Sequence, residues 1–318
     1  MNGMMLFIQQ TINGLRIGSI YALIALGYTM VYGIIRLINF AHGDFIMVGG
    51  YTLVFTVPLM IAAGLPAWIA VTAAVIACAA VGVLVEKLAY SPVRKHGTKM
   101  STLITAIAMS LFLENLAQAL FGPNAKPVKT IFSVSPILVY GSAEGMSEPP
   151  VLLRLDTNTF LTIFIGMAVM VGLFLFVKYT KSGQAMRAVS EDKNAASLMG
   201  IHVNRTISLT FAIGAGLAGV ASLMYVAQYP SVTTTMGSML GLKAFVAAVL
   251  GGIGIIPGAM LGGIVIGIVE SLSKAYISTV TGGIITSAFS DAIVFSILII
   301  VLLVKPAGIL GKNIGEKV

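Results

Sequence analysis

The sequence is short of charge. Only 9% of its 318 residues are Asp, Glu, Lys or Arg, against about 25% in soluble domains, so too little polar surface exists to cover a globule in water. Acids are the scarcer sign, 11 against 19 basic residues, for a formal net charge of +8. The single cysteine, Cys78, sits inside the apolar run IAVTAAVIACAAVGVLV. It can form no internal disulfide and reads as a packing residue. Three histidines, His42, His96 and His202, lie far apart, and no ligand spacing supports a metal site. No G-x4-G-K-[ST] occurs. The near miss GILGKN at 308–313 is too short between its glycines and lacks the hydroxyl residue that holds magnesium in a phosphate loop. The chain therefore carries no recognisable nucleotide site. It also lacks a nucleophile–base constellation, which argues against an enzyme.

What remains is apolar. Apolar residues make up 58% of the chain and the mean hydropathy is +1.00. Stretches near the ~20 residues needed to cross a bilayer recur from end to end. They predict an all-α, polytopic membrane protein with about nine spans, at 6–33, 40–61, 66–88, 101–121, 158–178, 206–228, 239–256, 258–278 and 287–304. The N-terminal stretch has no basic region before its apolar part and runs straight into further membrane sequence, so it is expected to be a retained helix rather than a signal peptide.

The basic residues orient the spans. Arg36, Lys87, Arg94, Lys95, Lys99, Lys178, Lys181, Arg187, Lys193, Arg205, Lys305, Lys312 and Lys317 fall on one side of a nine-span chain. Lys126, Lys129, Arg154 and Lys274 fall on the other. By the positive-inside rule, the richer side is cytoplasmic, the N-terminus outside and the C-terminus inside. This pattern, rather than nucleic-acid binding, accounts for the positive charge. Two loops are long. The extracytoplasmic loop 122–157 holds five prolines and is either a docking surface or a passive solvated loop. The cytoplasmic loop 179–205 is predicted to hold one amphipathic helix over Gln184–Met199, with Met186, Val189, Ala196 and Met199 on one face, extended by Ala195 and Leu198. Glu191 and Asp192 lie off that face, and Gly200 stops the helix. Such a helix fits a partner's groove or the lipid headgroups.

Acids in or near spans are costly in lipid unless paired or hydrated. Glu86 with Lys87 reads as a helix-end pair and Asp291 as interfacial. Glu270 and Lys274 form an acid-to-base i, i+4 pair. Glu114 has no local basic partner and serves either packing or a pathway. The stretch INFAHGDF places Asn39, His42 and Asp44 between two spans, where a capped cytoplasmic turn and a role in the pathway or gate both remain open.

Several blocks resemble one family in order. GSIYALIALGYTMVYGIIRLINFAHGDFIMVGGY (18–51), RAVSEDKNAASLMGI (187–201), KAFVAAVLGGIGIIPGAMLGG (243–263) and PAGILG (306–311) resemble branched-chain amino-acid ABC permeases of the LivH type. Within the second block, Asn194-Ala195-Ala196-x3-Gly200 is similar to the EAA-x3-G motif of ABC importers, with Asn194 at the usual glutamate position and no downstream I-x-L-P. The resemblance implies a single permease domain over 1–318 in a bacterial inner membrane, bounded by lipid. It implies a coupling helix carrying Arg187, Glu191, Asn194, Ala195, Ala196 and Gly200. It also implies a second homologous permease subunit, two cytoplasmic ATPases that use ATP and magnesium, and an extracytoplasmic substrate-binding protein. Leucine, isoleucine and valine would be the substrates; the same permease type carrying urea or another small solute, and an ion- or proton-coupled transporter working through Glu114 or Glu270, are the alternatives.

The densest glycine run, LGGIGIIPGAMLGGIVIG at 250–267, is read as packing rather than phosphate binding. Gly254, Gly258 and Gly262 recur every fourth residue, as do Gly263 and Gly267, and small residues at that spacing let helices approach in lipid. Pro257 is expected at a bend between two spans, beside the translocation path.

Overall fold

In the computed structural model, residues 3–36, 38–129, 136–140, 153–282 and 284–311 are described. Half of the loop 122–157, read as either a docking surface or a passive solvated loop, lies outside them, including Glu144, Glu148, Pro149 and Pro150, as do Lys312 and Lys317 of the basic tail. The helices run α1 (Gly3–Ile35), α2 (Asp44–Ala62), α3 (Trp68–Val85), α4 (Ser91–His96), α5 (Lys99–Phe121), α6 (Thr157–Tyr179), α7 (Lys181–Glu191), α8 (Lys193–Leu198), α9 (Val203–Gln228), α10 (Met236–Gly251), α11 (Ile256–Val280) and α12 (Ser290–Val304). Short strands β1 (Lys126–Pro127), β2 (Pro136–Tyr140), β3 (Leu153–Asp156) and β4 (Ser231–Val232) pair antiparallel as β1 with β4 and β2 with β3.

Among the described residues, eight helical stretches are long and apolar enough to cross a membrane, and α10 is a shorter apolar helix. Together they occupy the nine predicted positions. The chain is an all-α, multi-pass membrane protein. Two boundaries differ by five residues or more: the span expected over 66–88 runs on to Arg94, and the one expected over 239–256 ends at Gly251, where Gly252 and Gly254 adopt positive φ of 106° and 92°. Glycine takes that conformation without a Cβ penalty, so the backbone turns before Pro257. Pro257 then falls in the first turn of α11, where its missing N–H costs no hydrogen bond.

The core is built around α1. In its most apolar 18-residue window 83% of residues are buried, against 11% for α12. A helix apolar all round suits either a protein interior or lipid; α1 takes the interior place, packing on α11, α9, α6 and α10. Large side chains such as Phe164, Trp68 and Leu303 point outward, the arrangement a lipid solvent favours. The α1–α11 contact is a glycine seam. A Cβ at Gly263 would overlap the backbone of Ala22, one at Gly267 the backbone of Gly18, and one at Gly14 or Gly18 the backbone of α11. On the other side of α11, Gly258 and Gly262 lie against Gly251 and Ala247 of α10. A Cβ at Gly254 would meet nothing within 4 Å; this glycine shapes the bend rather than the packing.

Candidate functional site

Two polar regions stand apart, one at the α7–α8 loop and one midway along α11. At the loop, the predicted single amphipathic helix is two helices. The break is at Asp192, whose extended backbone ends α7 and whose carboxylate accepts the N–H groups of Asn194 (2.7 Å) and Ala195 (3.1 Å) to cap α8. An Asp at that position satisfies two otherwise orphaned donors, so local capping overrides the continuous pattern. Met186, Val189 and Ala196 are buried at 4%, 1% and 4% exposure, but Leu198 and Met199, expected on the same face, stand out at 89% and 83%. Ala195, Asn194 and Glu191 are also exposed. Gly200 has φ of 83° and reverses the chain into α9, in the C-terminal role glycine plays best. Arg187 donates to the Val177 carbonyl at the end of α6. Arg36, itself at positive φ of 57° at the end of α1, donates to the Ser190 carbonyl at 3.4 Å. Burial, with Arg94 and Arg36 nearby, moves the Lys193 ammonium below its ordinary pKa.

This loop meets the glycine bend. A cavity of about 280 Å³ is walled by Met30 and Ile34 of α1, Met186 and Arg187 of α7, and Gly254 and Pro257. The bend is held from behind by the tail: Ile309 and Leu310 donate their N–H groups to the carbonyls of Leu250 (2.8 Å) and Gly251 (3.2 Å). Sequence reading linked PAGILG to the glycine run only by resemblance; the pairing of Gly308 against Gly252 is long-range, and its only local trace is the glycines themselves.

INFAHGDF is not a solvent-facing capped turn. Asn39, His42 and Asp44 are 2%, 0% and 1% exposed, and neither Asn39 nor Asp44 caps a helix. Asn39 accepts the Tyr90 hydroxyl at 2.5 Å. His42 packs against Tyr28 with centroids 4.7 Å apart and ring planes tilted by 60°, in space left open by Gly27. Gly43 lies against the backbone of Gly237 and Gly241 on α10, drawing the turn into the bundle. Asp44 faces Ser110 and Glu114, and Glu114 accepts the Ser238 hydroxyl. Glu86 pairs with Arg94 (3.2 Å) and Ser208 (2.8 Å) rather than Lys87, because the π-helical turn Glu86–Tyr90 swings its carboxylate toward α9.

Midway along α11, Glu270 is 1% exposed and gathers three donors. Lys243 Nζ (2.8 Å) and Lys274 Nζ (2.6 Å) both reach Oε1, and the Tyr21 hydroxyl reaches Oε2 at 2.7 Å. Lys243 also contacts Asp291 at 2.7 Å, so Asp291 is a network member rather than an isolated interfacial acid. The i, i+4 pair of Glu270 and Lys274 exists, but α1, α10 and α12 complete it. Lys243 was the residue missed, since pairing α10 with α11 across 27 positions leaves no local sequence signal. The network borders a cavity of about 450 Å³, whose walls include Tyr225, Tyr229, Met236, Met239 and Leu240. Tyr21 and Arg36 place α1 at both regions.

The family model described as "Branched-chain amino acid transport system / permease component" matches residues 10–302. The high-affinity branched-chain amino acid transport system permease protein LivH of Salmonella typhimurium is 42% identical over 98% of both chains. The corresponding permease protein BraD of Pseudomonas aeruginosa is 41% identical over 98% of both. A probable LivH permease of Methanocaldococcus jannaschii is 29% identical over 93% of this chain and 90% of its own.

Proposed function

The chain belongs to the branched-chain amino-acid transport permease family, and on that premise we propose how the subunit works. It is a multi-pass bacterial membrane component of an ABC importer that translocates branched-chain amino acids. The whole chain acts as one permease domain and alternates between outward and inward openings. ATP and magnesium are used by two partner ATPases, since this chain has no phosphate loop. A second homologous permease and an extracytoplasmic binding protein complete the assembly, with the N-terminus outside and the C-terminus inside.

The observation that carries the coupling assignment is the exposure of Leu198 and Met199 on a helix anchored through buried Ala196. A short rigid helix with an apolar tip suits insertion into a groove of a partner. Motion there reaches the bundle by two routes: Arg187 and Arg36 bind carbonyls at the ends of α6 and α7, and Met186 adjoins the glycine bend across the 280 Å³ cavity. Glu270, Glu114, Asn39, His42 and Asp44 are then pathway or gate residues. The test is leucine uptake into proteoliposomes holding the chain with its partners. Uptake should require ATP and the ATPases; uptake driven by a proton gradient without them overturns the assignment.

A further inference from the structure

The cavity above Glu270 combines features that a purely structural ion network does not need. Lys243 ties α10 to α11 and α12 through Glu270 and Asp291. Lys274 adds a second cation to the same oxygen, Oε1 of Glu270, and its side chain is 43% exposed, facing the open volume that it lines. Asp291 is 33% exposed on the other side of Lys243. The four ionised groups are two cations and two anions, so the network is neutral as it stands. In a low-dielectric site, adding one net charge is expensive, whereas adding a zwitterion is not. The rest of the cavity wall is aromatic and aliphatic: Tyr225, Tyr229, Met236, Met239 and Leu240. Its volume of about 450 Å³ falls within the range of small-ligand sites.

We infer that this cavity is a binding station for the zwitterionic end of the passing amino acid, with Lys274 exchanging Glu270 for the ligand carboxylate and the ligand ammonium taking the place of Lys274 on Glu270. The branched side chain then lies against Met239, Leu240 and the two tyrosines. Lys243, Asp291 and Tyr21 hold Glu270 in place while the exchange occurs, so they are positioning residues. Selection for an α-amino acid is thereby repeated inside the permease. This rests on the transport reading above and deepens it.

The experiment uses the assembled importer in vesicles, without nucleotide, and Thr235→Cys on the cavity wall as a thiol-labelling reporter. The native Cys78 is fully buried and does not compete. Leucine should slow labelling. Leucinamide, which lacks the carboxylate, and 4-methylpentanoate, which lacks the amine, should not do so at the same concentration. Lys274→Met should raise the half-protecting leucine concentration by ~10-fold or more, the scale of one charge-assisted hydrogen bond, and Lys274→Arg should restore most of it. Equal protection by all three solutes, no protection by leucine, or an unchanged Lys274→Met each overturns the station. If Thr235→Cys does not assemble, Thr233→Cys reports on the same wall. Loss of ATP-driven uptake by the unaltered importer is a separate failure, that of the transport reading, and labelling protection is read independently of it.

Discussion

Gly267 of α11 sits directly on Gly18 of α1, so close that a Cβ at Gly267 would occupy the Gly18 backbone, while one at Gly18 would run into Ile264 a turn away on α11. In lipid there is no hydrophobic drive to bring two apolar helices together, and close van der Waals packing must supply it. The seam continues one turn away, where Gly263 meets Ala22, and it seats the helix that spans both polar regions.

Gly267→Leu should therefore destabilise the folded protein by at least the ~1–3 kcal/mol typical of overpacking, with lower yield after size exclusion in detergent and a lower melting temperature. Gly254→Ala meets no atoms and should suffer only left-handed backbone strain of roughly 1–2 kcal/mol. A Gly267→Leu protein that melts with the parent would remove the seam.

The parts of this fold that were legible in the sequence follow from lipid as the solvent. Apolar length locates spans directly, and Gly-x3-Gly spacing marks close helix approach, so α11 could be read without coordinates. What could not be read is long-range or depends on a competing local preference. The partner of Glu270 is Lys243, on another helix. Glu114 finds Ser238, and Glu86 finds Arg94 and Ser208 only through a π-helical turn. The 184–199 helix looked continuous because its apolar period survives the break, yet Asp192 forms two capping hydrogen bonds that a continuous helix would forgo. INFAHGDF left a capped turn and a pathway role both open because turn residues and functional polar residues are the same types; the small neighbours Gly27, Gly237 and Gly241 are what admit it to the interior.

The Glu270 network should show strong energetic coupling. Removing one member of a buried ion pair typically costs ~3–5 kcal/mol, because the remaining charge is stranded, while replacing both by apolar groups is far less harmful. Lys243→Met and Glu270→Met should each lower thermal stability, and the double variant should be less destabilised than their sum by roughly 0.5–3 kcal/mol. Melting curves of the parent, both single variants and the double variant measure this; strict additivity would mean that the 2.8 Å contact contributes nothing.

The α7–α8 loop is where stability and the proposed coupling role can be told apart. Leu198 and Met199 touch little of their own chain, so Leu198→Ser with Met199→Ser should change stability by no more than about 0.5 kcal/mol, as surface substitutions do. ATP-driven uptake should nonetheless fall sharply, with normal membrane insertion. Ala196→Leu acts differently, since Ala196 is buried and a larger side chain lifts α8 from its seat; it and Gly200→Pro should uncouple ATP hydrolysis from uptake. Wild-type uptake by the double serine variant would exclude the apolar tip from partner contact.

The tail should matter more than its terminal position suggests. Ile309 and Leu310 satisfy the carbonyls of Leu250 and Gly251, which end α10 and otherwise lack partners at a helix terminus. Gly308 makes this possible twice over: its φ is 78°, and a Cβ there would collide with Gly252. Gly282 provides the control, with a similar φ of 62° but open space around it. Both Gly308→Val and Gly282→Val incur left-handed strain of roughly 1–2 kcal/mol, so the difference between them isolates the collision at the bend. Gly308→Val should melt distinctly lower and lose uptake, because the displaced tail frees the Gly252–Gly254 turn, which shares a cavity with Met186 and Arg187 of α7. Equal melting temperatures and equal uptake for the two variants would show that the tail merely rests on the bend.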